Sequence, residues 1–183
     1  MNCWKSINHT KEFGNNRLYL LSFLIGLLSF IFLYVPITIA QGTNKVDEAG
    51  FLPFILALLL LPALHSLMHI LPLIILNKRL KIMFKMKNKR FPIFNYYTKF
   101  HLTKKVSLIV AIAPTILISI PGVIASYLFT DYSVYILMFT SVHIGMSYLD
   151  FLYVIHIQKA PKQCFIDSRH DGFDILIKET KLP

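Results

Sequence analysis

Four long apolar stretches, divided by polar segments, organise the chain: Leu18 to Ala40, Phe51 to Leu76, Val106 to Leu128 and Tyr132 to Ile157. Each has the length of a membrane-crossing helix, which needs about 20 residues to cover about 30 Å of hydrocarbon. Pro36, Pro53, Pro62, Pro72, Pro114 and Pro121 fall inside these stretches. Kinks rather than breaks are predicted there, because neighbouring groups in a bundle satisfy the carbonyls that proline frees. The pattern predicts an all-α membrane protein: four transmembrane helices, an amphipathic basic cytoplasmic loop and a short cytoplasmic tail over residues 158–183, all within a single membrane domain.

Composition points the same way. Of the 183 residues, 55% are hydrophobic and 15% charged, and mean hydropathy is +0.58. A soluble domain carries about 25% charged residues. Disordered, collagen-like and disulfide-stapled classes are excluded by the same figures, and the two cysteines, Cys3 and Cys164, near opposite ends of the chain, give no framework. Basic residues set the expected orientation, since Lys and Arg favour the cytoplasmic side. The connection from Asn77 to Lys105 carries ten Lys or Arg and no acid. An even number of spans around it predicts a multipass protein of the cell membrane with both termini cytoplasmic. Thr38-Ile39-Ala40 offers small residues for signal cleavage, but the 23-residue first stretch exceeds an h-region of about 7–15 residues. It reads as a retained anchor.

Much of the +10 formal charge sits between Lys78 and Lys105, interleaved with Ile82, Met83, Phe84, Met86, Phe91, Phe94 and Tyr97. Such a segment suits contact with anionic lipid headgroups. The positive-inside bias explains these charges without a nucleic-acid partner. Beyond the last stretch, two short apolar-polar runs flank Asp171-Gly172 and predict a hairpin within a solvated tail. Trp4 suits an interfacial anchor, and Gly26 and Gly122 suit close helix approach. His101 and His156 are expected near the headgroups, and His9 and His170 in water. Cytoplasmic Cys3 and Cys164 are expected reduced.

Ionisable groups at membrane depth are costly, about 2.5–3.5 kcal/mol for Asp at a helix centre, and so signal partners or function. The second stretch contains Leu64-His65-Ser66-Leu67-Met68-His69, and a spacing of four puts both imidazoles on one helix face. The fourth contains His143 and Asp150, seven residues apart with Ser147 between them, and Asp150 is the one acid in any stretch. His69 and Asp150 are each seven residues from the inner end of their stretch, about 10 Å deep at 1.5 Å per residue. Two imidazoles and a carboxylate at one depth are the donors of a three-ligand zinc site with an open fourth position. Helix packing through buried hydrogen bonds, and a proton relay, use the same residues and stay open at this point.

The chain resembles the zincin peptidase family of small bacterial multipass membrane proteins, a domain-of-unknown-function family distantly similar to the intramembrane site-2 metalloproteases. The residues that carry the resemblance are Cys3-Trp4-Lys5, the histidine pair, Ala113-Pro114, Gly145 to Asp150, Lys159-Ala160-Pro161-Lys162 and Asp171-Gly172. It implies an HExxH helix whose histidines bind zinc, with a later Asp as third ligand. By position these are His65, His69 and Asp150. Ser66 occupies the glutamate position. The family's glutamate takes a proton from the attacking water and passes it to the leaving amine. A serine hydroxyl does not titrate near neutral pH and cannot replace it, and such acid–base work is worth about 10²–10⁴ in rate. His143, on the Asp150 stripe, is a candidate substitute base. The expectation is a catalytically impaired or inactive homologue that keeps a His/His/Asp zinc site and meets membrane-protein partners or substrates. The alternatives are an active intramembrane zinc metallopeptidase with a non-standard base, and a metal-free structural bundle.

Overall fold

A computed structural model describes residues 2–8, 12–42, 46–76, 101–169 and 172–177. Most of the basic segment from Lys78 to Lys105, together with His9, His170 and Asp171, lies outside the described residues. A first strand, β1 (Asn2–Ile7), precedes helix α1 (Asn15–Gln41), and a 3-10 turn (Glu48–Gly50) leads into α2 (Phe51–Ile75). A two-residue strand β2 (Leu102–Thr103) opens the second half. Helix α3 (Lys104–Pro114), a π-turn (Thr115–Ser119) and α4 (Ile120–Leu128) continue from it without interruption. Then come α5 (Ser133–Met146), α6 (Tyr148–Gln158) and the strands β3 (Cys164–Arg169) and β4 (Gly172–Ile177).

The chain is mostly helical. Three segments are long and apolar enough to cross a membrane: Asn15–Gln41, Glu48–Ile75 and Lys104–Leu128. The pair Thr130–Met146 and Tyr148–Gln158, bent by 43°, makes a fourth if it counts as one span. α1 and α2 run through Pro36, Pro62 and Pro72 without ending. Pro53 costs nothing, because a first-turn residue has no intrahelical acceptor to lose. Between Pro114 and Pro121 the helix widens into the π-turn, where both prolines deprive the α-helical ladder of a donor.

α1 packs on α5 at two glycines. A Cβ on Gly145 would lie 2.6 Å from the Ser22 carbonyl oxygen, and one on Gly26 would lie 3.3 Å from that of Ser141. Dispersion contacts between backbones replace the side chains here, as small residues allow in apolar bundles. α2 packs on α3, and α3 on α6, so the second, third and fourth stretches meet where the polar residues sit.

The tail is the main departure from the predicted architecture. β3 and β4 form the expected hairpin, but they are the centre of a four-stranded antiparallel sheet in the order β1-β4-β3-β2. Cys164, Ile166, Phe173 and Ile175 are at most 3% exposed and form a core with Ile7, Ile157 and Ala160, against which Tyr153 packs. The described part of the tail is thus no solvated appendage. Its two runs are too short to announce burial alone, and the N-terminal arm that completes the sheet lies far away in sequence. Trp4, expected as an interfacial anchor, is a residue of β1. Lys104 ties sheet to helices: its Nζ donates to the carbonyls of Gln158 (2.9 Å) and Ala160 (2.5 Å) at the end of α6, where a cation also opposes the helix dipole. Leu73, Leu102 and Val110 form a second small core that fixes the end of α2 against β2 and α3.

Candidate metal centre

His65 and His69 face the same way from α2, one turn apart, with their rings 4.9 Å apart edge to face. Asp150, in the first turn of α6, reaches both. The 43° bend between α5 and α6 aims this turn at α2. Asp150 Oδ2 is 3.2 Å from His65 Nε2, and Oδ1 is 3.4 Å from His69 Nε2. The two Nε2 atoms are 3.3 Å apart. The pairing of α2 and α6 expected from matched depth is therefore present.

Each ring is held from behind. Nδ1–H of His69 donates to the Val110 carbonyl at 2.9 Å. That carbonyl is available because Pro114, four residues on, has no N–H to give it. A proton on Nδ1 leaves Nε2 of a neutral His69 as a lone pair facing His65 and Asp150. Nδ1 of His65 lies 3.2 Å from Nε2 of His143, whose own Nδ1 lies 2.8 Å from Ser119 Oγ.

The donor set fits a zinc ion. Tetrahedral zinc with bonds of about 2.0–2.1 Å separates its ligand atoms by about 3.3 Å; the two Nε2 atoms are 3.3 Å apart, and with one oxygen taken from Asp150 all three donors lie within 4.8 Å of one another. Asp150 Oδ2 is buried with no hydrogen-bond partner. It lies 3.2 Å from His65 Nε2, a charge pair only when that imidazole is protonated. An unbonded buried carboxylate oxygen is expensive, and a cation would relieve it. Among the described residues His65, His69 and Asp150 form the one cluster of three or more His, Cys, Asp or Glu side chains with donor atoms close enough to share an ion.

A profile of the family described as "Putative zincin peptidase" matches residues 58–165, more than half of the chain. The chain belongs to that family. Nothing among the curated proteins or the solved structures matches it. The matched region of this zincin-family chain contains both histidines, Asp150, Pro114 and His143. It also contains Ser66, whose hydroxyl donates to the Pro62 carbonyl at 3.0 Å, back along its own helix. Ser66 therefore makes no contribution to the cluster. His143, the candidate substitute base, sits against the Nδ1 side of His65 rather than the Nε2 side that meets Asp150.

Other expected residues are elsewhere. Ser147 is the bend residue, its hydroxyl donating to the His143 carbonyl at 3.0 Å. His101 pairs with Asp167 at 3.6 Å on the sheet side, and Nδ1–H of His156 donates to the Leu152 carbonyl at 2.8 Å. A cavity of about 220 Å³ adjoins the centre, walled by His69, Asp150, Leu102, Tyr153, Gly172 and Phe173. It connects the His/His/Asp cluster to the sheet. Nothing in the sequence marks Val110 or Ser119 as members of the site, although the proline four residues after Val110 is a readable sign of a freed carbonyl.

Proposed function

We propose that the protein is a multipass membrane member of the zincin family that holds zinc through His65, His69 and Asp150, and that binds membrane-protein segments without cutting them efficiently. The observation that carries this reading is the convergence of three donor atoms around a buried carboxylate oxygen that no hydrogen bond satisfies.

Exposure supports the membrane setting. The most apolar window of α1 has no buried residue, and Tyr19, Phe23, Phe32, Ile39 and Leu52 are each at least 67% exposed. Apolar surface of that extent is satisfied by lipid. With both termini cytoplasmic, as the basic residues favour, the sheet lies at the cytoplasmic face, and the segment from Lys78 to Lys105 meets anionic headgroups. The cavity beside Asp150 is then the approach for a partner segment.

Zinc supplies Lewis acidity to a carbonyl or a water molecule when bound. The chain's own residues supply binding, through two neutral imidazoles and a carboxylate, and His143, the titratable group that touches them, lies behind His65 on its Nδ1 side. Ser66 cannot hold a proton for transfer, and its hydroxyl is engaged with Pro62. Weak hydrolysis is the most such a site sustains.

The test is Ser66→Glu in zinc-loaded, detergent-purified protein, assayed on a mixture of apolar transmembrane peptides by mass spectrometry. The impaired-enzyme reading expects cleavage to rise by about 10²–10⁴ over wild type. Efficient cleavage by the wild type, lost in Asp150→Asn and unimproved in Ser66→Glu, would overturn it in favour of an active peptidase.

A further inference from the structure

His143 is wholly buried, and both of its ring nitrogens are engaged, with His65 on one side and the buried Ser119 on the other. A buried imidazole is costly unless partnered, so three polar side chains from α2, α5 and the π-turn have been brought into one line. The line ends at the cluster, because Nε2 of His65 is the atom that faces Asp150 and His69.

A ligating imidazole carries its proton on the nitrogen turned away from the metal, and the group that takes this proton fixes the tautomer and the ring plane. For His69 that group is the Val110 carbonyl. For His65 the atom in place is Nε2 of His143. We propose that His143 and Ser119 are a positioning pair for His65, holding its Nδ1 so that Nε2 is the ring nitrogen turned towards a divalent cation; this rests on the zinc-site reading above.

The pair can be arranged in two ways with the same number of protons. In one, His143 Nδ1–H donates to Ser119 Oγ, and His143 Nε2 accepts Nδ1–H of His65. Nε2 of His65 is then a lone pair beside Asp150. In the other, the Ser119 hydroxyl donates to His143 Nδ1, and His143 Nε2–H donates to Nδ1 of His65. Nε2 of His65 then carries a proton towards the carboxylate. A cation selects the first arrangement, and the second suits the metal-free protein. A carbonyl in place of His143 would permit only the first.

The π-turn supplies the independent support. An extra residue in a helical turn rotates the helix before it by about 100° relative to the helix after it. Such turns are rare and concentrate at functional sites. This one spans Thr115–Ser119 and ends on the serine that meets His143. It thereby brings both Val110 and Ser119, from one continuous helical stretch, to the backs of two different imidazole-bearing partners.

The experiment is zinc affinity by chelator competition for detergent-purified wild type, His143→Phe, His143→Gln and Ser119→Ala, with the visible absorption spectrum of each cobalt-substituted protein. Gln offers a carbonyl oxygen that can accept Nδ1–H of His65, and Phe offers none. We expect His143→Phe to weaken zinc binding by about 10–100-fold and shift the cobalt spectrum. His143→Gln should recover most of the affinity, and Ser119→Ala, the change gentlest on folding, should lose about fivefold. Zinc binding within twofold of wild type in both His143→Phe and Ser119→Ala would overturn the pairing, as would equal losses in the Phe and Gln variants. A wild type that binds no zinc would instead overturn the metal-site reading, and the pairing with it.

Discussion

Nδ1 of His69 lies 2.9 Å from the carbonyl oxygen of Val110. An α-helical carbonyl normally receives the N–H of the fourth residue on, and here that residue is Pro114, which has none. A helix defect in α3 has thus become a hydrogen bond to α2. Pro114→Ala should restore the competing N–H. Zinc affinity is expected to fall, approaching the 10–100-fold loss typical of disturbed outer-shell partners. The thermal midpoint should hold or rise, since alanine is the better helix former by up to about 3 kcal/mol. Chelator competition and thermal unfolding in detergent check the two halves separately, and unchanged affinity would count against the role given to Val110.

The contact of α1 with α5 gives a graded prediction. A Cβ at Gly145 meets backbone oxygen at 2.6 Å, and one at Gly26 meets it at 3.3 Å. Backbone cannot swing aside as a side chain can, so Gly145→Ala should destabilise by about 1–3 kcal/mol and Gly26→Ala by less. Thermal midpoints of the two variants in one detergent test the order, and the reverse order would contradict the packing.

The two thiols should differ sharply. Cys3 is exposed, and Cys164 is buried in the core under the sheet. Burial pushes the Cys164 thiol above its ordinary range, with nearby Lys104 pulling weakly the other way. The thiolate is the nucleophile, so iodoacetamide at mildly alkaline pH should label Cys3 and spare Cys164 until the protein unfolds. The folded state disfavours the Cys164 thiolate. Its contribution to stability is therefore complete below the ordinary thiol pKa and is lost as pH rises through the raised one. Mass spectrometry of labelled peptides checks the first expectation. A fall in thermal midpoint at alkaline pH, smaller in Cys164→Ala, checks the second.

Much of the helical architecture is written locally. Long apolar runs announce α1, α2 and the stretch from Lys104 to Leu128, because length and hydropathy are properties of neighbouring residues. The pairing of His69 with Asp150 was legible for a related reason: equal distance from two helix ends puts two residues at one depth. The sheet was less legible. β1 and β4 are separated by nearly the whole chain, and alternation over six residues does not reveal that Ile7 and Ile175 share a core. The backs of the imidazoles were least legible of all, since Val110 contributes a backbone atom and Ser119 depends on a π-turn that shifts the helical phase.

Zinc content decides whether His65, His69 and Asp150 hold a metal: elemental analysis compares detergent-purified wild type with the triple variant His65→Ala, His69→Ala, Asp150→Ala. About one zinc per chain is expected in the wild type and none in the variant, as for a site with three protein ligands. A wild type without zinc, or equal zinc in both proteins, would contradict it.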